Sequence, residues 1–155
     1  MEITRHFTAT AYVVYSGKVL LHKHKKLGIW IAFGGHIDRD ELPEETAVRE
    51  VKEETELDIT LVQLDTATLR TDEQATPWVN MLNRPAHLLL EYITDSHQHI
   101  DSIFYARAAS DAVTLEPGIA EYRWFTVEQL DAAVELQENV RMFGKEAIEK
   151  CRMQN

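Results

Sequence analysis

Three glutamates within one predicted helix constrain this chain more than any other feature. Glu50, Glu53 and Glu54 stand at positions i, i+3 and i+4, so a helix brings their carboxylates to one face. Such close like charges repel one another unless a cation lies among them. Because carboxylate oxygens are the ligands that Mg²⁺ and Mn²⁺ prefer, the spacing indicates a site for a divalent metal ion.

Two glycines precede this helix, in the segment FGGH at Phe33–His36. Glycines in such a place serve a tight turn or a close approach of the backbone to a ligand. A competing interpretation treats the helix as an ordinary solvated one, held by pairs of Glu45 with Arg49 and of Arg49 with Glu53. An ordinary surface helix needs no such glycine pair, so the sequence favours a functional site.

The stretch from Gly35 to Leu57 reads GHIDRDELPEETAVREVKEETEL. It resembles the signature of the Nudix hydrolases, G-x5-E-x7-R-E-U-x-E-E-x-G-U, where U is a large aliphatic residue. The matching positions are Gly35, Glu41, Arg49, Glu50, Val51, Glu53, Glu54 and Leu57. Only Glu56 departs, where the family has glycine. A pattern this long is far more specific than a short glycine motif.

The resemblance implies an α/β fold, the Nudix α/β/α sandwich with a mixed β-sheet. It also implies hydrolysis of a phosphoanhydride bond, in a nucleoside diphosphate linked to another group X or in a related nucleotide. The expected cofactor is Mg²⁺, with Mn²⁺ as a substitute, and its expected ligands are the Gly34 carbonyl and the carboxylates of Glu50, Glu53 and Glu54. Arg49 is expected to orient the glutamates and to pair with Glu41.

The general base is left open by the sequence, because family members take it either from this helix or from a later loop. Glu53 is the first choice within the helix. The acids near a predicted hairpin are Glu91, Asp95 and Asp101. Each of these is equally well interpreted as a solvated strand or turn residue.

Glu56 occupies the position at which the family helix ends on glycine. A glutamate there weakens the left-handed helix stop and places a negative charge at the negative end of the helix dipole, at a cost of about 0.3–1 kcal/mol. We therefore expect Glu56 to affect stability more than turnover.

Several other side chains are candidates for substrate binding. Lys23 and Lys25 belong to the basic run HKHKK, which either receives phosphate or is a solvated strand end. Phe33 and Trp78 are candidates for stacking on a base, although aromatic residues are more often part of a core.

Substrate choice is expected in the long polar segment from Asp65 to Arg84, and around Tyr12, Phe33 and Trp78, because binding residues concentrate on loops. The sequence does not identify the group X.

The motif His97-x-His99-x-Asp101 places three potential ligands on one face of a predicted strand. In isolation such a motif suggests a transition metal. The sequence offers no fourth ligand that can be named, so hairpin residues without this role are the favoured interpretation.

The length and composition fit one soluble globular domain, and the resemblance implies a single Nudix domain over residues 1–155 that acts on a small-molecule nucleotide. A net charge of −10 opposes a DNA partner.

Two alternative functions stay open. One is removal of a 5′ pyrophosphate from RNA. The other is a Nudix-like domain that senses a nucleotide without cleaving it, although such sensors usually lack one of the metal glutamates. The single cysteine, Cys151, and the absence of a signal peptide or a long apolar span indicate the cytoplasm. The sequence does not decide whether the protein forms a homodimer.

Local patterns predict strands that alternate with helices. The predicted strands are Thr8–Tyr15, Lys18–His24, Trp30–Phe33, Asp58–Leu64, His87–Thr94, His99–Ala108 and Tyr122–Phe125. Helices are predicted at Pro43–Thr55, from Thr126 onward with a capping box to Gln129, and at Glu138–Cys151.

Overall fold

The computed structural model describes residues 1–64 and 81–154, and eight strands within them form one mixed sheet. The strands are β1 (Thr4–Tyr15), β2 (Lys18–Lys23), β3 (Trp30–Ile31), β4 (Phe33–His36), β5 (Ile59–Leu61), β6 (His87–Tyr92), β7 (His97–Ala108) and β8 (Tyr122–Phe125). The helices are α1 (Pro43–Thr55), α2 (Val127–Ala132) and α3 (Glu138–Met153).

The long strand β1 organises this sheet. Along one side it runs parallel to β7, from the pair Thr4 and His97 to the pair Val14 and Arg107. Its other side pairs antiparallel with β4 in the first half and with β2 in the second half. This arrangement places the glycine-containing strand β4 beside the amino-terminal half of β1.

Alternating side chains of β1 supply two separate cores, because successive residues of a strand face opposite sides. Ala9 and Ala11 face α1, where they belong to a buried cluster with Val51. Tyr12 belongs to the cluster on the other face, with Phe143 of α3. The sheet is therefore covered by α1 on one face and by α3 on the other.

Helix α1 begins at Pro43 and ends at Thr55, as the sequence predicts. Pro43 occupies the first turn, where a missing N–H costs nothing, and the Glu45 carboxylate accepts a hydrogen bond from the Leu42 N–H at 2.8 Å. Glu56 follows the helix in the left-handed conformation, with φ of 61°.

The inward face of α1 differs at one position from the face that its amphipathic pattern predicts. That pattern places Ala47, Val48, Val51 and Thr55 inward. Val48 is 38% exposed, and Thr46 is buried in its place. The Thr46 hydroxyl donates to Glu41 at 2.7 Å, so this buried polar group has a partner.

Several strand boundaries also differ from the predictions. β1 starts at Thr4 and β7 starts at His97, because the parallel pairing of the two strands extends beyond their apolar cores. The glycine pair, predicted to follow a strand, lies within β4 itself. β5 covers only Ile59–Leu61 of the predicted strand.

The remaining local predictions agree closely with the structure. Ser16 and Gly17 form the predicted hairpin turn with φ of 48° and 73°. Thr126 caps α2 through the predicted capping box, since its hydroxyl accepts from the Gln129 N–H at 3.2 Å. Across residues 1–64 and 81–154, no helix combines the length and the apolar character needed to span a bilayer.

Candidate active site

The three glutamates of α1 lie on its exposed edge in different environments. The Glu50 carboxyl is mostly buried, with 16% of the side chain exposed, whereas Glu53 is 56% exposed. One carboxylate oxygen of Glu54 is buried and has no hydrogen-bond partner among the described residues. These carboxylates therefore have oxygen atoms available for a cation.

Arg49 links the acidic residues through its guanidinium group. Its Nε and Nη2 donate to the two oxygens of Glu41 at 2.5 and 2.9 Å. Its Nη1 donates to Glu50 at 3.0 Å and to Glu53 at 3.1 Å. A planar, charged group with several donors is suited to hold three carboxylates in fixed positions.

Glu41 is held as an anion by these contacts. The hydrogen bonds from Arg49 and from the Thr46 hydroxyl lower the pKa of Glu41 to about 2. The same pairing raises the pKa of Arg49 above its usual range. Both partners stay charged at neutral pH, so Glu41 positions Arg49 and is not a proton acceptor.

The two glycines of β4 are required by the packing around them. A Cβ on Gly35 would lie closer than 3.0 Å to the Glu50 carboxylate, and a Cβ on Gly34 would lie as close to the Thr10 hydroxyl. The strand therefore approaches both α1 and β1 at distances that only glycine allows.

Glu54 holds its proton more tightly than an ordinary carboxylic acid. Burial raises its pKa to about 8, and the carboxylates of Glu50 and Glu116 add to the effect. The Glu116 N–H also donates to the Glu54 carbonyl at 3.0 Å. Sequence reasoning did not identify Glu116, since nothing in its local sequence marks it as a neighbour of α1.

Comparison with known proteins decides the family. A family model of the NUDIX domain matches residues 4–150. This chain is a Nudix hydrolase. It is 36% identical to a NUDIX-family hydrolase from Clostridium perfringens of known structure, with a TM-score of 0.83, and the match covers 95% of this chain and 98% of that one.

Two further solved structures share the fold. The MutT protein from Methanosarcina mazei Go1 is 19% identical, with a TM-score of 0.68, over 98% of this chain and 99% of that one. The MutT NUDIX hydrolase from Burkholderia pseudomallei is 20% identical, with a TM-score of 0.64, over 95% and 98%. The predicted family and α/β fold class are confirmed.

As a Nudix hydrolase, the protein acts on pyrophosphate bonds. Enzymes of this family generally use divalent metal ions, typically Mg²⁺, and small-molecule nucleotide substrates. The residues fit such an ion, because Glu50 and Glu54 offer carboxylate oxygens and one Glu54 oxygen is buried with no partner among the described residues. Hard oxygen donors of this kind suit Mg²⁺ or Mn²⁺.

The opposite face of the sheet carries a second acidic group in this Nudix hydrolase. Asp101 of β7 accepts hydrogen bonds from the Thr8 hydroxyl at 2.9 Å and from the Thr10 hydroxyl at 2.8 Å. Burial and the Asp101 charge raise the pKa of Glu91, on β6, to about 7. Burial also raises the pKa of Asp101, so both carboxyl groups of this pair hold a proton more tightly than exposed acids do.

Of the acids named as alternative general bases, Glu91 and Asp101 lie together, whereas Asp95 is exposed in the turn between β6 and β7. Thr10 lies between this pair and the glycines. Its hydroxyl donates to Asp101 at 2.8 Å, and it would lie 2.6 Å from a Cβ added to Gly34.

Phe33, a predicted substrate residue, lies in the core. It is 0% exposed and stacks on His22, so its ring has no free face for a base. This burial contradicts the stacking role predicted for Phe33, because local sequence does not show which apolar residues the helices cover. Tyr12 is 3% exposed and packs edge-on against Tyr105 and Phe143. That substrate choice lies around Tyr12 stays a prediction.

The remaining substrate candidates are only partly described. Lys23 ends β2 and Lys25 follows it, and both side chains are exposed. Trp78 and most of the segment Asp65–Arg84 lie outside the described residues. At the end of that segment, the Asn83 N–H donates to Glu44 in the first turn of α1 at 2.6 Å.

Proposed function

We propose that this Nudix hydrolase uses Mg²⁺ to hydrolyse a phosphoanhydride bond in a nucleoside diphosphate linked to X, or in a related nucleotide. One observation carries the proposal: a buried oxygen of Glu54, with no hydrogen-bond partner among the residues that the structure describes, lies on the same helix edge as Glu50 and Glu53. Acids so close together gain stability from a cation between them. An Mg²⁺ ion held there would neutralise phosphate charge and activate a water molecule.

The chain's own residues divide the remaining work. Glu50, Glu53 and Glu54 would hold the cation, together with the Gly34 carbonyl. Arg49 fixes Glu50 through its Nη1, and Glu41 fixes Arg49 through two hydrogen bonds. Glu53 is the general base of this proposal, because its carboxylate is more than half exposed and is still tethered to Arg49. An exposed, fixed carboxylate can take a proton from a water molecule near the substrate.

Lys23 and Lys25 are the proposed contacts for substrate phosphate. Their support is the charge balance, since an acidic protein with a net charge of −10 needs local cations to receive an anion. The whole chain is proposed to act as one domain, in the cytoplasm.

A substrate panel tests the activity directly. Nucleotide sugars, ADP-ribose, dinucleoside polyphosphates and oxidised nucleoside triphosphates are incubated with Mg²⁺, and phosphate is measured after phosphatase treatment. We expect turnover of at least one compound and none after chelation. Tight binding of a compound without turnover of any would support a sensor instead, and cleavage of 5′-triphosphate RNA alone would support the RNA alternative.

Three variants separate the roles. Glu53→Gln should lower kcat by about 10²–10⁴-fold even at saturating Mg²⁺. Glu54→Gln should instead raise the Mg²⁺ concentration needed for half-maximal activity. Glu149→Gln, an exposed glutamate of α3, is the control and should change neither quantity. Equal kcat for Glu53→Gln and the unmodified protein would remove Glu53 from the mechanism.

A further inference from the structure

Four histidines from three strands meet at one end of the sheet. The parallel pairing of β1 with β7 places His6 opposite His99, and His97 lies two residues before it on the same face. β4, paired with the other side of β1, contributes His36. One ring nitrogen from each histidine lies within 4.8 Å of the other three.

This cluster is separate from the acidic site. Gly35 faces α1, since a Cβ there would contact the Glu50 carboxylate. Because successive residues of a strand point to opposite faces, His36 projects from the other face of the sheet. The cluster therefore shares no side chain with the glutamates of α1.

The geometry is close to that of four nitrogen ligands around one ion. The Nε2 atoms of His36 and His99 are 3.2 Å apart. Nitrogens arranged tetrahedrally at Zn–N distances of 2.0–2.1 Å lie about 3.3 Å from one another. No two of the four nitrogens are more than 4.8 Å apart, so the other pairs need to close by at most about 1.5 Å to reach this spacing, which changes of side-chain torsion provide.

An unsatisfied buried atom points in the same direction. The Nε2 of His97 is buried and has no hydrogen-bond partner among the described residues. A buried polar atom without a partner is costly unless a ligand satisfies it. His6 and His36 are exposed, so an ion has a path from solvent to this atom.

We propose that His6, His36, His97 and His99 form a site for one divalent transition-metal ion of the zinc class. Imidazole nitrogens select such ions, whereas Mg²⁺ requires oxygen ligands. The ion would join β1, β4 and β7 at their shared end. It would also fix the strand that carries Gly34 and Gly35, because His36 belongs to that strand. The His36 carbonyl accepts a hydrogen bond from Arg49 at 3.3 Å, so the same residue contacts the acidic site through its backbone.

Cobalt titration tests this site without any measurement of activity. The full chain, carrying no histidine tag and freed of metal by a chelator, is titrated with Co²⁺. We expect the intense visible absorption of tetrahedral cobalt, saturating at one ion per chain and displaced by one equivalent of Zn²⁺. Absence of this absorption, or a weak octahedral spectrum only, would overturn the proposal.

Variants then locate the ion. His6→Gln and His99→Gln should each weaken Co²⁺ binding by at least 10-fold. Because the His6 side chain is exposed, His6→Gln should fold as the unmodified protein does. His24→Gln, outside the cluster, and Glu53→Gln, in the acidic site, should keep the full spectrum. If Glu53→Gln abolishes the spectrum and His6→Gln does not, the ion belongs to the acidic site.

This test and the activity test fail independently. Loss of the cobalt spectrum in His6→Gln says nothing about turnover with Mg²⁺. A protein that hydrolyses its substrate but binds no tetrahedral ion would retain the proposed function and lose only the histidine site.

Discussion

Arg49 and Glu41 form a two-point ion pair across the start of α1, with Nε to Oε1 at 2.5 Å and Nη2 to Oε2 at 2.9 Å. The pair leaves the Nη1 of Arg49 free to contact Glu50 and Glu53. Two residues eight positions apart therefore set the orientation of Glu50 and Glu53.

Replacing Arg49 by lysine should disrupt this arrangement while retaining the charge. A lysine ammonium cannot make the two parallel bonds to Glu41 and also contact Glu50, so kcat/KM should fall by about 10–100-fold. The measurement is steady-state kinetics over a range of Mg²⁺ concentrations. Arg39→Lys, at an exposed loop position, is the control and should behave as the unmodified protein. Normal kinetics for Arg49→Lys would show that charge alone suffices.

Gly35→Ala should damage both stability and activity. The added Cβ lies closer than 3.0 Å to the Glu50 carboxylate, so either the strand or the helix must shift. We expect a loss of about 1–3 kcal/mol in the free energy of unfolding. A double-mutant cycle with Glu50→Ala isolates this contact, because the substitution at Gly35 should cost less once the carboxylate is gone. An equal cost in both backgrounds would place the clash elsewhere.

Glu56→Gly should stabilise the protein. A non-glycine residue with φ of 61° pays a backbone penalty, and its charge opposes the helix dipole. We expect the free energy of unfolding to rise by about 1 kcal/mol, with turnover within two-fold of the original. Glu56→Ala is the matched control, because it removes the charge and keeps the strained backbone. A loss of activity as large as that of Glu53→Gln would contradict this role.

Glu91 should make stability depend on pH. Burial raises its pKa to about 7, above the value of 4.5 for an exposed glutamate. Between these two values the folded protein binds a proton that the unfolded chain has released, so stability should fall as the pH rises from about 4.5 to 7. Glu91→Gln should reduce this fall by about 1–2 kcal/mol, since solvent screens the partly exposed side chain.

Chemical denaturation of the metal-free protein at several pH values measures this effect. Glu149→Gln, whose side chain is exposed, is the control and should leave the slope unchanged. The raised pKa of Glu54 contributes in the same direction, so a part of the slope should remain in Glu91→Gln. An unchanged slope in that variant would show that Glu91 is ionised in the folded protein.

Local sequence was sufficient for the helices and for the acidic face. Pro43 and Glu45 mark the start of α1 through contacts within a few residues, and Thr126 with Gln129 does the same for α2. The clustering of Glu50, Glu53 and Glu54 follows from helix geometry alone. These features depend only on neighbours in the chain, so the sequence determined them without knowledge of the sheet.

Tertiary structure decided what lies on each face of that sheet. Phe33 and Tyr12 are core residues because helices cover them. The local sequence pattern of an apolar strand is the same whether a helix covers the strand or leaves it exposed. Asp101 became a buried acceptor because parallel pairing brings Thr8 and Thr10 of β1 beside it, 93 and 91 positions away.

The histidine cluster shows this division most clearly. The sequence presented His97, His99 and Asp101 at a spacing of two residues, and it offered no fourth ligand that could be named. Asp101 is held by the Thr8 and Thr10 hydroxyls and lies outside the cluster. His6 and His36 join them only because β1 pairs with β7 on one side and with β4 on the other, which brings together rings as far as 93 positions apart in the chain, those of His6 and His99. The sequence by itself determined the acidic helix and hence the family's chemistry. Strand register, which is set by pairing between distant segments and not by local preference, decided which side chains share a site.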